Sequence, residues 1–505
     1  MGLKKIGAKI LAKLAYPPVL KANINGVKTQ KEVLANLIST AKNTKFGKDH
    51  GFNTSWTQKE FSNNVPVRDY EGLKSYVELV KEAEADVLWP GLPIYFAKTS
   101  GTTSGAKYIP ITKESMPEHI KAARNALLAY VYHTGKADFT EGKMIFLQGS
   151  PVLEKINGIQ LGRLSGIVAH FVPKYLQSNR LPSWETNCIE EWEDKVKAIA
   201  TETKSENLTL ISGIPPWVKM YYEELIHQTG KQNIEEVFPN FSLFVYGGVN
   251  FQPYKDSLEA LVGKPVDSVE LFPASEGFFA FQDLPDQKGM LLNLNAGMYF
   301  EFIPLTEYGK EKAKRLGLED VKVGEDYALI ISSNAGLWAY DIGDVVRFTE
   351  LKPYRVIVSG RTKHYTSAFG EHVIATEVEQ ALQHAVSLHP CQVTEFTVAP
   401  CLNPSEGKAR HQWFIEFKVA PEDIKSFQKE LDKRLGELNS YYLDLIDGKV
   451  LESLEIIELE ENAFIKMMKA EGKLGGQNKA PRLSNSRKYA DKLVQLTKKS
   501  YRSSN

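Results

Sequence analysis

The stretch Thr99-Ser100-Gly101-Thr102-Thr103-Ser104-Gly105-Ala106-Lys107 packs two glycines, five hydroxyl side chains and a closing lysine into nine residues. Glycine lets backbone N–H groups come close to an anion, and hydroxyls add further donors. Lys107 supplies compensating charge. The pattern therefore suits a polyanion such as a nucleotide's phosphate chain. It is not a Walker A loop, which needs four residues between its glycines and Ser or Thr after its lysine. Here three residues separate Gly101 from Gly105, and Tyr108 follows Lys107. Gly, Ser and Thr are also turn formers, so an ordinary hairpin loop is the competing reading. Apolar Ile94–Ala97 before it and Tyr108–Ile111 after it place the stretch between two strands.

The elements around this loop follow from periodicity. Residues 1–90 read mainly as helices, with Thr29–Asn43 showing helical spacing. The first segment, MGLKKIGAKILAKLAYPPVL, reads as an amphipathic packing helix stopped by Pro17-Pro18; a membrane-surface contact is its alternative. From about 91 to 350, apolar runs (MIFLQG, LTLISG, LFVYGG, VELFPA, MYFEFIP) alternate with amphipathic segments such as Glu114–Tyr132 and Trp184–Lys204. That alternation predicts an α/β architecture. Beyond about 361, a helix near Ile374–Ala385, strands TEFTVAP and QWFIEFKV, and a helix near Asp423–Leu438 read as a smaller α+β domain. The expected division is 1–360 for a large N-terminal domain and 361–505 for a C-terminal cap.

Composition narrows the partners. In 505 residues, Lys plus Arg and Asp plus Glu both number 62, so no net field draws the chain to nucleic acid. With 43% hydrophobic residues it is not a disordered chain. No run is long and apolar enough to span a bilayer, so stable membrane insertion is not expected. Three cysteines, Cys188, Cys391 and Cys401, lack metal-type spacing and suggest a reducing, cytoplasmic setting. A monomer is the default expectation.

The glycine-hydroxyl loop resembles the signature loop of the adenylate-forming acyl ligase superfamily, with Gly101, Gly105 and Lys107 at that pattern's glycines and lysine. Further resemblances follow in order. Tyr246-Gly247-Gly248-Val249 resembles the glycine pair bordering the adenine pocket. Phe272-Pro273-Ala274-Ser275-Glu276-Gly277 resembles the loop that ends in a hydroxyl residue and Glu. Tyr340-Asp341-Ile342-Gly343-Asp344 resembles the ribose-binding motif, and Gly360-Arg361 the start of the hinge. Together with Gln477-Asn478-Lys479-Ala480-Pro481-Arg482, these details look like the auxin-responsive acyl acid amido synthetases, the Gretchen Hagen family.

The resemblance implies a fold and a two-step reaction. The fold would be a large N-terminal domain of β-sheets flanked by helices, with a small barrel-like lobe, plus a smaller mobile α+β C-terminal domain. A carboxylic acid would attack the α-phosphate of ATP to give an acyl-adenylate and pyrophosphate. The amine of an amino acid would then displace AMP. Ser100, Gly101, Thr102, Thr103, Ser104 and Gly105 would cradle phosphates. Lys107 would either contact phosphate or fasten the loop by an ion pair. Glu276 is the candidate ligand for Mg²⁺, which prefers oxygen donors. Ser275 precedes it in the same motif. Asp344 would accept both ribose hydroxyls, since a carboxylate has two oxygens. Gly248 and Val249 would line the adenine, with Tyr246 and Phe272 near enough to stack. Arg361 reads as a hinge-side structural residue. For the acid, Arg124, Tyr132 and His170 are candidates, each with a structural alternative; for His170 that alternative is a satisfied core histidine.

An acyl-CoA ligase, sharing the first step but using a thiol in the second, is the nearest rival. A nucleotide-binding regulator without turnover would have little use for Lys107, Glu276, Asp344 and Lys479 together. Lys479 follows Gly472, Gly475 and Gly476; the resemblance implies a lysine that swings toward the α-phosphate in one domain orientation, and a solvated basic tail is the alternative reading. Lys479→Ala is therefore expected to slow adenylation far more than it weakens ATP binding; an unchanged rate would remove Lys479 from the mechanism.

Overall fold

The chain opens with helices α1 (Leu3–Ile24), α2 (Gly26–Ala41), α3 (Lys45–Asp49), α4 (Gln58–Asn64) and α5 (Tyr70–Lys81). The computed structural model describes residues 2–502 except 103–104, 172–178, 249–250, 286, 311, 363–364, 367, 372, 471–481 and 485. Short oxygen-bearing side chains start α3 to α5. Thr44 accepts from the Gly47 N–H, Thr57 and Glu60 form a reciprocal capping box, and Asp69 Oδ1 accepts from the Gly72 N–H at 3.2 Å.

Two helical expectations fail for identifiable reasons. Helix α1 does not stop at Pro17-Pro18 but runs through both. Interior prolines remove N–H donors and ordinarily cost a helix about 3 kcal/mol. Here tertiary bonds hold the helix on either side of them. Tyr16 Oη donates to Asp283 Oδ2 at 3.0 Å, Asn23 Nδ2 donates to the Leu292 carbonyl at 2.8 Å, and Asn23 Oδ1 accepts from the Tyr354 N–H at 2.6 Å. The segment Trp184–Lys204 is not one helix but two, Trp184–Asn187 and Trp192–Thr203. The Asn187 carbonyl accepts from Lys195 Nζ at 2.6 Å instead of from a following backbone N–H.

Strands β1 (Tyr95–Thr102) and β2 (Gly105–Ile111) are neighbours in a four-stranded sheet that also contains β4 (Glu154–Ile156) and β5 (Ile159–Gly162). Helix α6 (Met116–Thr134) follows β2, and the short α7 (Leu164–Ala169) follows β5. An eleven-stranded sheet forms the rest of the first unit. Its parallel half joins β3 (Lys143–Phe146), β6 (Arg180–Leu181), β7 (Leu208–Ser212), β8 (Leu243–Gly247) and β9 (Asp267–Ala274). Parallel strands need long crossovers, and the helices Pro215–Thr229 and Gln252–Val262 supply two of them. Strands β7 and β8 are apolar almost throughout, as burial on both faces requires. From β9 the sheet turns antiparallel through β10 (Gly277–Phe281), β11 (Met290–Leu292), β12 (Met298–Pro304), β13 (Asp326–Ser333), β14 (Tyr340–Leu351) and β15 (Tyr354–Arg361).

The chain divides into two compact units. One comprises Met1–Thr99, Lys107–Ile189 and Asp194–Thr362; the other comprises Ser100–Ala106, Glu190–Glu193 and Lys363–Asn505. The second unit has a two-stranded sheet of β16 (Tyr365–Thr366) and β17 (Val373–Ile374). It also has a four-stranded sheet in the order β18 (Gln392–Cys401), β19 (Arg410–Val419), β20 (Glu455–Leu459) and β21 (Thr497–Tyr501). Helices Ala375–Leu388 and Ile424–Leu438 complete its α+β pattern.

In the first unit, one polar anchor is fully buried. Arg355 Nε and Nη2 donate to Asp283 at 2.9 and 2.7 Å, the same carboxylate that accepts from Tyr16. Their side chains are 5% and 0% exposed. Removing one partner strands the other charge in the core, which typically costs about 3–5 kcal/mol. Arg355→Ala should accordingly lower the urea midpoint of unfolding sharply; a midpoint equal to wild type would show that the pair does not hold α1 to the sheet.

Candidate functional site

Strand β14 bends where chemistry is expected. Val345 pairs with Ala328 and Asp341 with Ile330, so Ile342, Gly343 and Asp344 together stand opposite Leu329. Such a bulge re-aims side chains. Gly343 takes φ +83°, a conformation open to glycine, and a Cβ there would lie 3.1 Å from Arg361 Nη1. Asp341 fastens the bend: its Oδ1 accepts from the Gly343 N–H at 2.8 Å and its Oδ2 from Tyr308 Oη at 2.6 Å.

The bend delivers Asp344 to Arg361, its cross-strand neighbour on β15. Arg361 Nε lies 2.7 Å from Asp344 Oδ1, and Nη1 donates to the Ile342 carbonyl at 2.9 Å. Asp344 is only 8% exposed. Burial raises its carboxyl to about 6; Arg361 and Lys107 oppose that rise, and Glu276 adds to it.

Glu276 comes from the other half of the molecule's main sheet. Ala274 pairs with Gly277, which leaves Ser275 and Glu276 as the two-residue turn of the β9–β10 hairpin. Glu276 is half-buried and accepts from Tyr340 Oη at 3.4 Å. It is therefore a turn residue, neither a helix N-terminal carboxylate nor a plain surface charge.

Lys107 on β2 closes the cluster. Burial pushes its ammonium below the ordinary lysine value, and Arg361 pushes the same way. Glu276, Asp69 and Asp344 pull it back up. Asp69 arrives because the chain ahead of α5 pairs with β14: the Arg68 N–H donates to the Ala339 carbonyl at 3.1 Å, and the Asp341 N–H to the Arg68 carbonyl at 2.8 Å. Lys107, Glu276 and the Asp344–Arg361 pair thus come within electrostatic reach of one another from three remote segments.

The adenine-side motif keeps its own company. Tyr246 is buried and stacks on Phe251, with ring centroids 4.2 Å apart and 26° between planes. Phe272 meets Phe279 edge-on at 4.9 Å. Gly248 follows β8 at φ +82° and is exposed. Ser100, Gly101 and Thr102 belong to the end of β1, and Gly105 opens β2. Thr103, Ser104, Val249 and Lys479 lie outside the described residues. Arg482, from the same tail motif as Lys479, pairs with Glu379 and Glu395 and sits over the Phe396 ring at 4.7 Å.

The three candidates for the acid lie on α6 and just after α7. Arg124 is exposed on α6 and donates to the adjacent Asn125 at 3.3 Å. Tyr132 packs on Tyr16 of α1, centroids 5.2 Å apart. His170 is not a core histidine. It is exposed just after α7, its Nε2 lies 2.8 Å from the Pro151 carbonyl, and its ring meets Trp184 edge-on at 4.9 Å. Sequence reading passed over Asp69, Tyr308 and Asp341. Asp341 lay inside the quoted motif, and Asp69 had an N-cap signature; nothing local marks Tyr308.

Three family models match the chain in order. They are the GH3 family N-terminal domain over residues 19–186 and 173–266, the central domain over 291–361 and the C-terminal domain over 376–488. The chain is similar to the jasmonoyl–L-amino acid synthetase JAR4 of Nicotiana attenuata, 23% identical over 515 residues that cover 87% of this chain and 88% of that protein. Its fold is similar to that of GH3.15 acyl acid amido synthetase, with a TM-score of 0.61 and 18% identity over 98% of both chains. It is also similar to that of 2-hydroxyisobutyryl-CoA ligase, with a TM-score of 0.58 and 13% identity over 93% of this chain and 91% of that one.

The buried Asp344 makes stability depend on pH. Its folded value of about 6 exceeds the ordinary 3.8, so the folded chain holds a proton that the unfolded chain releases between them. The resulting stabilisation is complete below about pH 4 and is lost as pH rises through about 6. Asp344→Asn cannot ionise. Relative to wild type it should gain on the order of 3 kcal/mol between pH 4 and pH 7, read from urea midpoints. A constant difference across that range would contradict the raised carboxyl.

Proposed function

The chain belongs to the GH3 family, and on that premise we propose that it is an ATP-dependent ligase that adenylates a carboxylic acid and passes the acyl group to the amine of an amino acid. The observation that supports this reading is that Lys107, Glu276 and Asp344, from remote parts of the sequence, come within electrostatic reach of one another.

In the first step a carboxylate oxygen bonds to the α-phosphorus of ATP as the bond to pyrophosphate breaks. Two anions must meet, so the site has to neutralise charge. The backbone of Ser100, Gly101, Thr102 and Gly105, with Thr103 and Ser104 between them, offers N–H donors to phosphate oxygens. Lys107, within electrostatic reach of Glu276, Asp69 and Asp344, would either contact phosphate or fasten the loop by an ion pair. Asp344 would accept from the ribose hydroxyls, and Arg361 keeps it aimed. Lys479 would bring a positive charge to the α-phosphate. In the second step the amine nitrogen attacks the acyl carbon, loses its proton and expels AMP.

Magnesium fits the donor set through Glu276. Asp344 faces Arg361, Asp341 is committed to Gly343 and Tyr308, and Asp69 caps α5, whereas Glu276 accepts one long bond from Tyr340. Among the described residues no group of three or more His, Cys, Asp or Glu could hold a metal. Mg²⁺ would therefore be held by Glu276 together with phosphate and water oxygens. When bound it would lower the charge repulsion between the acid and the phosphates. The three cysteines are free, which suits the cytoplasm, and the chain is proposed to act as a monomer.

Acid-dependent ATP–pyrophosphate exchange tests the reading. Exchange should appear with particular members of a panel of carboxylic acids, and Glu276→Gln should slow it by about 10²-fold or more. Adding amino acids should then yield amide and AMP. No exchange with any acid would undercut the proposal, and a thioester with coenzyme A in place of an amide would reassign the second step.

A further inference from the structure

Helix α1 has two apolar faces. The inner one buries Ala12 and Tyr16, with Ala8, Ala15, Val19 and Leu20 packed alongside. On the other side Leu3, Ile6, Ile10, Leu11 and Leu14 are exposed by 88, 40, 55, 45 and 70%. At about 100° per residue these five share one arc of roughly 140°, centred opposite the Ala12–Tyr16 face. Lys4 borders the arc on one side and Lys13 on the other, and Lys21 lies further along it, whereas Lys9 falls on the inner side near Asp138. Lys5 turns inward and pairs with Asp138.

This inverts the usual order. A helix packed on a soluble core puts its charges on the outer crest. Here the crest is apolar from Leu3 to Leu14 and Lys4 and Lys13 stand on its shoulders, where long stems can carry ammonium groups past the apolar arc. The helix holds five lysines and no acidic residue. We propose that the outer face of α1 docks on an anionic lipid bilayer, lying in the plane of the interface. Among the described residues no helix is long and apolar enough to cross a membrane, so α1 rests on the surface instead of spanning it. A symmetric second copy is disfavoured, because it would bring the same lysines against one another. Anionic headgroups would neutralise them.

Vesicle co-sedimentation with the full chain tests this. The protein should pellet with phosphatidylcholine vesicles containing about 30% phosphatidylserine, much less with phosphatidylcholine alone, and be released near 0.5 M salt. Lys4→Gln and Lys13→Gln should each weaken binding about fivefold. Ile10→Glu with Leu14→Glu should leave the protein in the supernatant with an unchanged circular dichroism spectrum and unchanged pyrophosphate exchange. Wild type that stays in the supernatant with phosphatidylserine vesicles would overturn the proposal, as would a double variant that still pellets. So would a dimer that the double variant splits without any vesicle binding, since a second copy would then cover the face.

Discussion

A lysine and three carboxylates, partly or wholly buried, set the terms for the first unit. Burial disfavours the charged form of both Lys107 and Asp344. Glu276, Asp69 and Asp344 favour the charged lysine, and Arg361 and Lys107 favour the charged Asp344. The arrangement is therefore conditional: β2, the β9–β10 turn, the bulge of β14, the end of β15 and the chain ahead of α5 must all be in place. That dependence explains the local reinforcement. Asp341 fixes the bulge from both sides, Tyr340 reaches Glu276, and the Arg68 backbone ties Asp69 to β14.

The sheet supplies the distances. Its parallel half ends in β9, and its antiparallel half begins with the two-residue turn that carries Glu276. The antiparallel half then returns Asp344 and Arg361 as cross-strand neighbours. Ligands of open α/β sheets gather at the carboxyl ends of parallel strands, and Gly248 and Glu276 both follow such ends, β8 and β9.

Much of this was legible before the fold was known. Strands such as Leu208–Ser212 and Leu243–Gly247 announce themselves as apolar runs, because a parallel strand buries both faces. The motif residues Lys107, Glu276 and Asp344 carry their types and order in the sequence. What escaped was set by tertiary contact. Pro17-Pro18 reads as a stop, and Asn23 and Tyr16 override it from across the sheet. Asn187 ends a helix because Lys195 takes its carbonyl. His170 lies among apolar neighbours in sequence yet faces outward, and Tyr132 turns to α1. Tyr308 becomes part of the site only because β14 bends beside it. Periodicity reads the partner face of an element, but not which distant polar group will occupy it.

The central claim is that a carboxylate oxygen of the acid becomes bonded to the α-phosphorus of ATP. Oxygen-18 follows that atom. An acid labelled at both carboxyl oxygens, turned over with ATP, Mg²⁺ and an amino acid, should leave one labelled oxygen in AMP and the other in the amide carbonyl, read by mass spectrometry of both products. AMP without label, or label in inorganic phosphate accompanied by ADP, would contradict the account.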